Sequence, residues 1–172
     1  MSTENLNIDD LLLKLEIAIR EQISIRQLNN PLIIGIHSGG AWIAARIHQK
    51  LNIAEPLGLL DITFYRDDFS QIGMHPKVKP SKLPLHLEGR DIILIDDVLY
   101  SGRTVRAALN EIFDYGRPNQ VLLAVLIERN CRQIPIQADC YAVQLSLPKN
   151  RWIKLTGPEP LNIEILTTEG HS

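Results

Sequence analysis

Near the start of the chain, apolar positions recur with helical spacing: Ile8, Leu11, Leu12, Leu15, Ile19 and Ile23 fall on one face. The pattern predicts an amphipathic helix over 8–28, with Asp9 and Asp10 favouring its first turn through the helix dipole. After Pro31 a short apolar run, 32–36, predicts a buried strand. His37-Ser38-Gly39-Gly40 follows, and then a helical pattern over 41–50 in which Trp42, Ile43, Ile47 and Leu51 are the apolar positions. Residues 57–64 read as the next strand, ending in the polar hinge Tyr65-Arg66-Asp67-Asp68. Residues 70–90 carry Gly73, Pro76, Pro80, Pro84 and Gly89 without a clear period. An aperiodic segment of this length inside a compact domain predicts a flexible lid or β-arm over an active site.

The next run, Ile92-Ile93-Leu94-Ile95, has the length and β-branched content of a buried parallel strand. It ends in two adjacent carboxylates, Asp96 and Asp97, followed by the small polar turn Ser101-Gly102-Arg103-Thr104. Val105, Ala108, Leu109 and Ile112 then recur at helical spacing, and Gly116 and Pro118 stop the helix. Residues 121–127 supply a further strand. Strands alternating with helices predict an α/β fold, a doubly wound and mainly parallel sheet. Beyond 128 the pattern changes to short strand-like pieces, 141–145, 152–155 and 163–166, set between prolines and glycines. These predict a small C-terminal cap, or hood, over the carboxyl edge of the sheet. The expected organisation is one domain over 1–172, with a core over about 30–128 and a cap over about 129–172 that takes in part of the N-terminal segment.

Composition narrows the class. The 172 residues are 45% hydrophobic and 22% charged, as expected of a soluble globular protein. The net charge of -2 gives no global electrostatic case for nucleic acid, so any such binding needs a local basic patch. Two cysteines, Cys131 and Cys140, make neither a disulfide framework nor a metal site and are expected to be reduced, buried thiols. No apolar stretch reaches membrane-spanning length, and the N-terminus lacks a signal peptide's basic start, so the cytoplasm is the expected compartment and no membrane partner is expected.

The chemistry concentrates at the turn after 92–95. A strand that passes into a helix through such a turn presents unpaired backbone N–H groups at the positive end of a helix dipole, which suits a phosphate monoester. Gly102 lets the backbone approach closely, and the hydroxyls of Ser101 and Thr104 add donors. Carboxylates beside this cradle would repel a second phosphate; they suit the hydroxyls of a ribose diol or a hydrated divalent cation. An isolated Asp-Asp pair also serves as a solvated turn, and it is the buried strand before it and Ser-Gly-Arg-Thr after it that favour a site. Phosphate at one end and diol at the other describe a ribose 5-phosphate. Residues 37–40 form a second strand–glycine turn–helix unit.

The string IDDVLYSGRT resembles the phosphoribosyl-diphosphate signature of the type I phosphoribosyltransferases. VLYSGRTVRAALNEIFDYGRP, with LDITFYRDDFS at 60–70, is similar to the pyrimidine operon attenuation proteins, which are also uracil phosphoribosyltransferases. The resemblance spans about 33–138. It implies a type I phosphoribosyltransferase-like fold and the formation of UMP and diphosphate from uracil and phosphoribosyl diphosphate, with Mg²⁺. It implies that Asp96 and Asp97 hold the ribose hydroxyls and act on the metal only through ribose or water. It implies that Tyr100, Ser101, Gly102, Arg103 and Thr104 form the 5-phosphate loop, although the Arg103 side chain is assigned no chemistry. His37, Ser38, Gly39 and Gly40 match the diphosphate loop, where the family often has Thr-Arg-Gly. Without that arginine, backbone N–H groups, Mg²⁺ or Arg66 are expected to meet the diphosphate charge. Glu128 and Arg129 fall where these proteins place the base, although the family commonly has Asp-Arg-Gly-His there and this chain has Glu-Arg-Asn-Cys. A homodimer or higher homo-oligomer is also implied.

Two alternatives stand beside this reading: transfer to another base, and a UMP-sensing attenuator that binds the leader mRNA of pyrimidine genes. The second needs a cluster of cations, for which Arg20, Arg26, Arg129 and Arg132 are the candidates. Gln137 and Gln144 stand where the family often supplies basic residues, so leader mRNA binding is expected to be weak or absent while uracil transfer persists.

Overall fold

A computed structural model describes residues 6–62, 81–83 and 86–167. Its element order is α1 (Ile8–Arg26), β1 (Leu32–Ile36), α2 (Gly39–Leu51), β2 (Gly58–Leu60), β3 (Asp91–Leu99), α3 (Arg103–Tyr115), β4 (Gln120–Glu128), β5 (Cys140–Gln144), β6 (Arg151–Thr156) and β7 (Asn162–Thr167). Five strands form one sheet in the order β2-β1-β3-β4-β5, and every neighbouring pair is parallel. β6 and β7 pair antiparallel as a separate hairpin.

Strand alternation explains the two cores. On one face Ile33, Ile93, Ile95, Leu122 and Ala124 pack with Leu15 and Ile19 of α1 and Ile43 and Ile47 of α2. On the other Leu32, Ile34, Ile92, Leu94, Leu123 and Val125 pack with Val105, Ala108 and Ile112 of α3. Because Ile92 to Ile95 send side chains to both faces and all are fully buried, this run is continuously apolar. The sheet is therefore doubly wound. The chain leaves β1 through α2 toward β2 and leaves β3 through α3 toward β4, so the winding reverses between β1 and β3. At such a switch point the carboxyl ends of two neighbouring strands diverge into helices on opposite faces and leave a crevice for a ligand.

Several expected boundaries move. α2 starts at Gly39, so both glycines belong to its first turn rather than to a turn before it. β3 does not stop ahead of the aspartates but runs through them to Leu99, because β4 is equally long and its Glu128 pairs with Leu99. Residues 141–145 were expected in the cap, yet β5 is the fifth strand of the main sheet, with α1 packed across it. Its outward Tyr141 and Gln144 gave it the look of a surface piece. The cap that remains is the β6–β7 hairpin, anchored by Leu155 and Leu161 in the core beneath α1 and α2. Among the described residues the N-terminal segment gives this cap no strand. Of the expected strand over 57–64, β2 covers Gly58–Leu60, while Phe64, the hinge with Arg66, Asp67 and Asp68, and most of 70–90 lie outside the described residues.

Candidate active site

The N-termini of α2 and α3 both lie at the carboxyl edge of the sheet, on the neighbouring strands β1 and β3. α1 is capped by the Asn7 side chain, which accepts from the N–H groups of Asp9 (2.9 Å) and Asp10 (3.1 Å). The N-cap residues of α2 and α3 make no such bond: they are Ser38, whose hydroxyl makes no capping bond, and Gly102, which has no side chain. α3 has instead the bond from its Arg103 N–H to Ser101 Oγ. Neither first turn carries an acidic residue. Two positive helix ends thus face one crevice, the arrangement that favours anions.

Asp96 is 2% exposed and Asp97 is half-buried. Oδ1 of Asp96 accepts the Asp97 N–H at 2.9 Å, and Oδ1 of Asp97 accepts the Val98 N–H at 2.9 Å, which fixes the direction of both carboxylates. The first turn of α2 presses against them. A β-carbon on Gly40 would stand 2.7 Å from the Ile95 carbonyl oxygen and 2.9 Å from the Asp96 Cα. Only glycine permits this approach, so residues 37–40 and the aspartates, read separately from the sequence, form one wall.

The loop over 100–104 rests on the segment that follows β4. The Arg129 N–H donates to the Leu99 carbonyl (3.0 Å), and the Gln133 N–H donates to the Ser101 carbonyl (2.9 Å). Arg103 donates from Nε to Oε1 of Gln133 at 3.2 Å, so its side chain braces the loop from outside. Gly102 adopts φ +91°, and a β-carbon there would meet Ile134 Cγ1 at 3.0 Å. Ser101 is buried, and its Oγ accepts the Arg103 N–H at 3.2 Å. Gln133, Ile134 and Ile136 were not singled out from the sequence; the Ile-Pro-Ile alternation inside an otherwise polar stretch was the one available signal.

Glu128 and Arg129 end β4 next to this loop and are 7% and 5% exposed. Glu128 Oε1 accepts the Asn130 N–H at 3.2 Å, whereas Glu128 Oε2 and Arg129 Nε are buried without a hydrogen-bond partner among the described residues. Each such atom costs about 1–3 kcal/mol. The Arg129 guanidinium lies over the Tyr100 ring, 4.8 Å from its centroid.

A cavity of about 480 Å³ lies between α2, β2 and the β6–β7 turn, lined by Trp42, Arg46, Leu57, Leu59 and Pro158 among others. It meets the expected site only at His37; none of Asp96, Asp97 and the 100–104 loop lines it. The two helix ends and the paired aspartates lie at the crevice between β1 and β3, not at this cavity. Asp91, the third carboxylate of β3, lies at the opposite end of the strand. Burial pushes its pKa up, but the Asn29 N–H, the side chains of Asn119 and Gln120 and the charge of Arg90 outweigh that and hold it below the ordinary 3.8. It is a structural group.

The sequence matches the phosphoribosyl transferase domain family over residues 4–161. Among curated relatives, the bifunctional protein PyrR of Nitrosococcus oceani is 53% identical over 163 residues, covering 94% of this chain and 92% of that protein. Bifunctional protein PyrR of Pseudomonas syringae pv. tomato is 50% identical over 156 residues, covering 91% and 92%. Among solved structures, a hypoxanthine-guanine phosphoribosyltransferase from Bacillus anthracis superposes with a TM-score of 0.67 at 15% identity, covering 89% of this chain and 87% of that one. A purine phosphoribosyltransferase from Pyrococcus horikoshii gives 0.58 at 21%, covering 79% and 83%. At these identities the structures speak for the fold. With the crevice, its two helix ends and its paired aspartates in place, the chain belongs to the phosphoribosyltransferase domain family and, within it, to the bifunctional PyrR proteins.

Proposed function

We propose that this protein transfers the phosphoribosyl group of phosphoribosyl diphosphate to uracil, releasing diphosphate and yielding UMP. The observation that carries this reading is the pair of helix N-termini, neither capped by its N-cap side chain, flanking Asp96 and Asp97 at the winding reversal of the sheet. Two anion subsites with a hydroxyl-binding pair between them fit a sugar phosphorylated at one end and diphosphorylated at the other.

In this reading Tyr100, Ser101, Gly102, Arg103 and Thr104 form the 5-phosphate loop, working mainly through backbone N–H groups. Asp96 and Asp97 hold the ribose hydroxyls. His37, Ser38, Gly39 and Gly40 receive the diphosphate, and Arg66 is a second contact for it. Glu128 and Arg129 stand at the base. A uracil nitrogen displaces diphosphate at C1 of the ribose through a cation-like sugar centre, so the protein's task is positioning and charge stabilisation.

Mg²⁺ fits this arrangement. Among the described residues no three His, Cys, Asp or Glu side chains gather as a metal cage. Two carboxylates beside an anion subsite suit an ion that Mg²⁺ chemistry would share between substrate oxygens and water. When bound, the ion neutralises charge on the diphosphate; Asp96 and Asp97 would orient it through the ribose or through water.

The chain works as one unit in this reading, as a cytoplasmic homo-oligomer. Among the described residues no helix is long and apolar enough to cross a membrane. The relatives' shared description as bifunctional supports a second activity in the same chain, UMP-sensing attenuation of pyrimidine genes. The test is to incubate the pure protein with phosphoribosyl diphosphate, Mg²⁺ and uracil, hypoxanthine, guanine or orotate in turn. UMP formation is expected, and turnover of another base in its absence overturns the assignment.

A further inference from the structure

Arg129 is a buried guanidinium that has no carboxylate partner, and whose Nε donates to nothing, among the described residues. Such a group is expensive to hold, because removing a cation from water is compensated only by good partners. What it does touch belongs to two different parts of the molecule. Its guanidinium carbon lies over the ring of Tyr100, the residue that opens the 100–104 loop. Its Nη2 donates to the carbonyl of Leu147 at 3.3 Å, in the segment that leads from β5 into the cap hairpin. Its own N–H is fastened to Leu99 at 3.0 Å, and the preceding Glu128 carbonyl accepts the Leu145 N–H at 2.8 Å. One side chain thus joins the loop, the end of β4 and the approach to the cap.

We propose that Arg129, besides standing at the base, couples the two substrate subsites: filling the 100–104 loop sets Arg129 and the end of β4, together with the Leu147 segment it holds, and so raises affinity for the base. The inference rests on the assignment of 100–104 as the 5-phosphate loop and of 128–129 as the base end. The physical reason for coupling is the long, flat guanidinium, which keeps its stack and its carbonyl bond only while Tyr100 and Leu147 hold their relative positions. A phosphate that orders the loop at Tyr100 therefore orders Leu147 as well. The ordering cost of the base site is then already met before the base arrives, which is positive cooperativity.

The coupling can be read with a pair of ligands that cannot react, because ribose 5-phosphate lacks a leaving group. Uracil affinity is measured by equilibrium dialysis with and without saturating ribose 5-phosphate, on the parent, Arg129→Met, Arg129→Lys and Tyr100→Leu. Ribose 5-phosphate is expected to tighten uracil at least fivefold in the parent and less than twofold in Arg129→Met. Arg129→Lys, which keeps a cation and a donor, is expected to recover part of the effect. In steady state Arg129→Met should raise KM for uracil about tenfold. Should Arg129→Met fail to fold, Tyr100→Leu, altered at a partly exposed ring, decides the matter by the same loss of coupling. Parent-like coupling in the folded variants overturns the proposal, as does a parent that binds ribose 5-phosphate without tightening uracil. A parent that binds no ribose 5-phosphate overturns the loop assignment instead, and one that turns over a different base overturns only the choice of uracil, with the coupling then read on that base.

Discussion

Gly39 and Asp97 occupy one space: a β-carbon on Gly39 would overlap Oδ2 of Asp97 and stand 2.7 Å from its Cγ. The loop after β1 and the carboxylate on β3 are thus a single construction. An arginine at position 39, as the related pattern Thr-Arg-Gly would place there, requires Asp97 to turn away. Gly39→Ala is expected to displace the Asp97 carboxylate and lower kcat/KM on the order of 100-fold, since displacements of about 1 Å at a reacting centre cost that much. Asp97→Asn should lose a similar amount. Because Asp97 is half-buried, thermal melting should stay near that of the parent. Kinetics of either variant within a few-fold of the parent would remove the contact from the site.

The run of aspartates on β3 divides by environment, and acid should expose the division. Asp91 accepts the Asn29 N–H and the Asn119 side-chain amide, both at 2.7 Å. Its pKa in the folded chain is held below 3.8 by these bonds and by Gln120 and Arg90, against the upward push of burial. A carboxyl whose pKa is depressed on folding contributes stability above its ordinary value and loses it as pH falls through the lower folded value. Asp91→Asn should therefore cost about 1–3 kcal/mol at neutral pH, as expected for orphaned hydrogen-bond partners. Urea unfolding from about pH 6 down to about pH 3 should show the gap between parent and variant narrowing below the ordinary carboxylate value. A gap that stays constant or widens with acid would contradict the assignment.

How much of this was legible in the chain differs from element to element. Ile92 to Ile95, the aspartates and Ser101-Gly102-Arg103-Thr104 are adjacent in sequence, so local pattern and resemblance located the loop together. The start of α2 at Gly39 was hidden because glycine is a poor helix former and reads as a turn. Its place in the helix is imposed by contact with β3, a tertiary effect. β5 was misplaced for a related reason: an edge strand with polar outward residues resembles a surface loop until its partner β4 is known. The bed of the 100–104 loop, formed by Gln133, Ile134 and Ile136, lies some thirty positions away and has no periodic signature.

The two thiols should separate chemically. Burial, with the charge of Asp139 adding and that of Arg26 opposing, pushes the Cys140 thiol up to about 12, so at neutral pH almost none of it is thiolate. Cys131 is half-buried rather than buried as expected. A thiol-reactive dye at about pH 8 should modify at most one cysteine per native chain, Cys131, and both after unfolding. Rapid native labelling of Cys140 in the Cys131→Ser variant would show that the edge of the sheet at β5 opens freely.

The regulatory activity depends on which cations are free for RNA, and the structure removes most of the candidates. Arg20 donates to Glu16 at 3.0 Å and to the Lys50 carbonyl at 2.8 Å, tying α1 to the end of α2. Arg26 is ion-paired with Asp139, whose other oxygen accepts the Leu123 N–H at 2.7 Å, so it fastens α1 to the β4–β5 connection. Arg129 is buried. Arg20 is exposed although ion-paired, and Arg132 is exposed with a surface bond to Gln137 at 3.0 Å. Two exposed candidates, one of them already ion-paired, on a chain of net charge -2 give little counterion release, the term that dominates electrostatic binding to nucleic acid. The expectation of weak or absent leader mRNA binding runs against the chain's membership of the bifunctional PyrR proteins. We expect a pyrimidine-leader hairpin to bind in a UMP-dependent way through cations other than these four, so that Arg132→Ala and Arg20→Ala each change the dissociation constant by less than about threefold. Fluorescence anisotropy across a salt series, on the parent, Arg132→Ala and Arg20→Ala, tests this directly. Submicromolar, UMP-dependent binding that is lost in Arg132→Ala and kept in Arg20→Ala would overturn it, and would put the RNA surface on the same 129–136 segment that supports the phosphate loop.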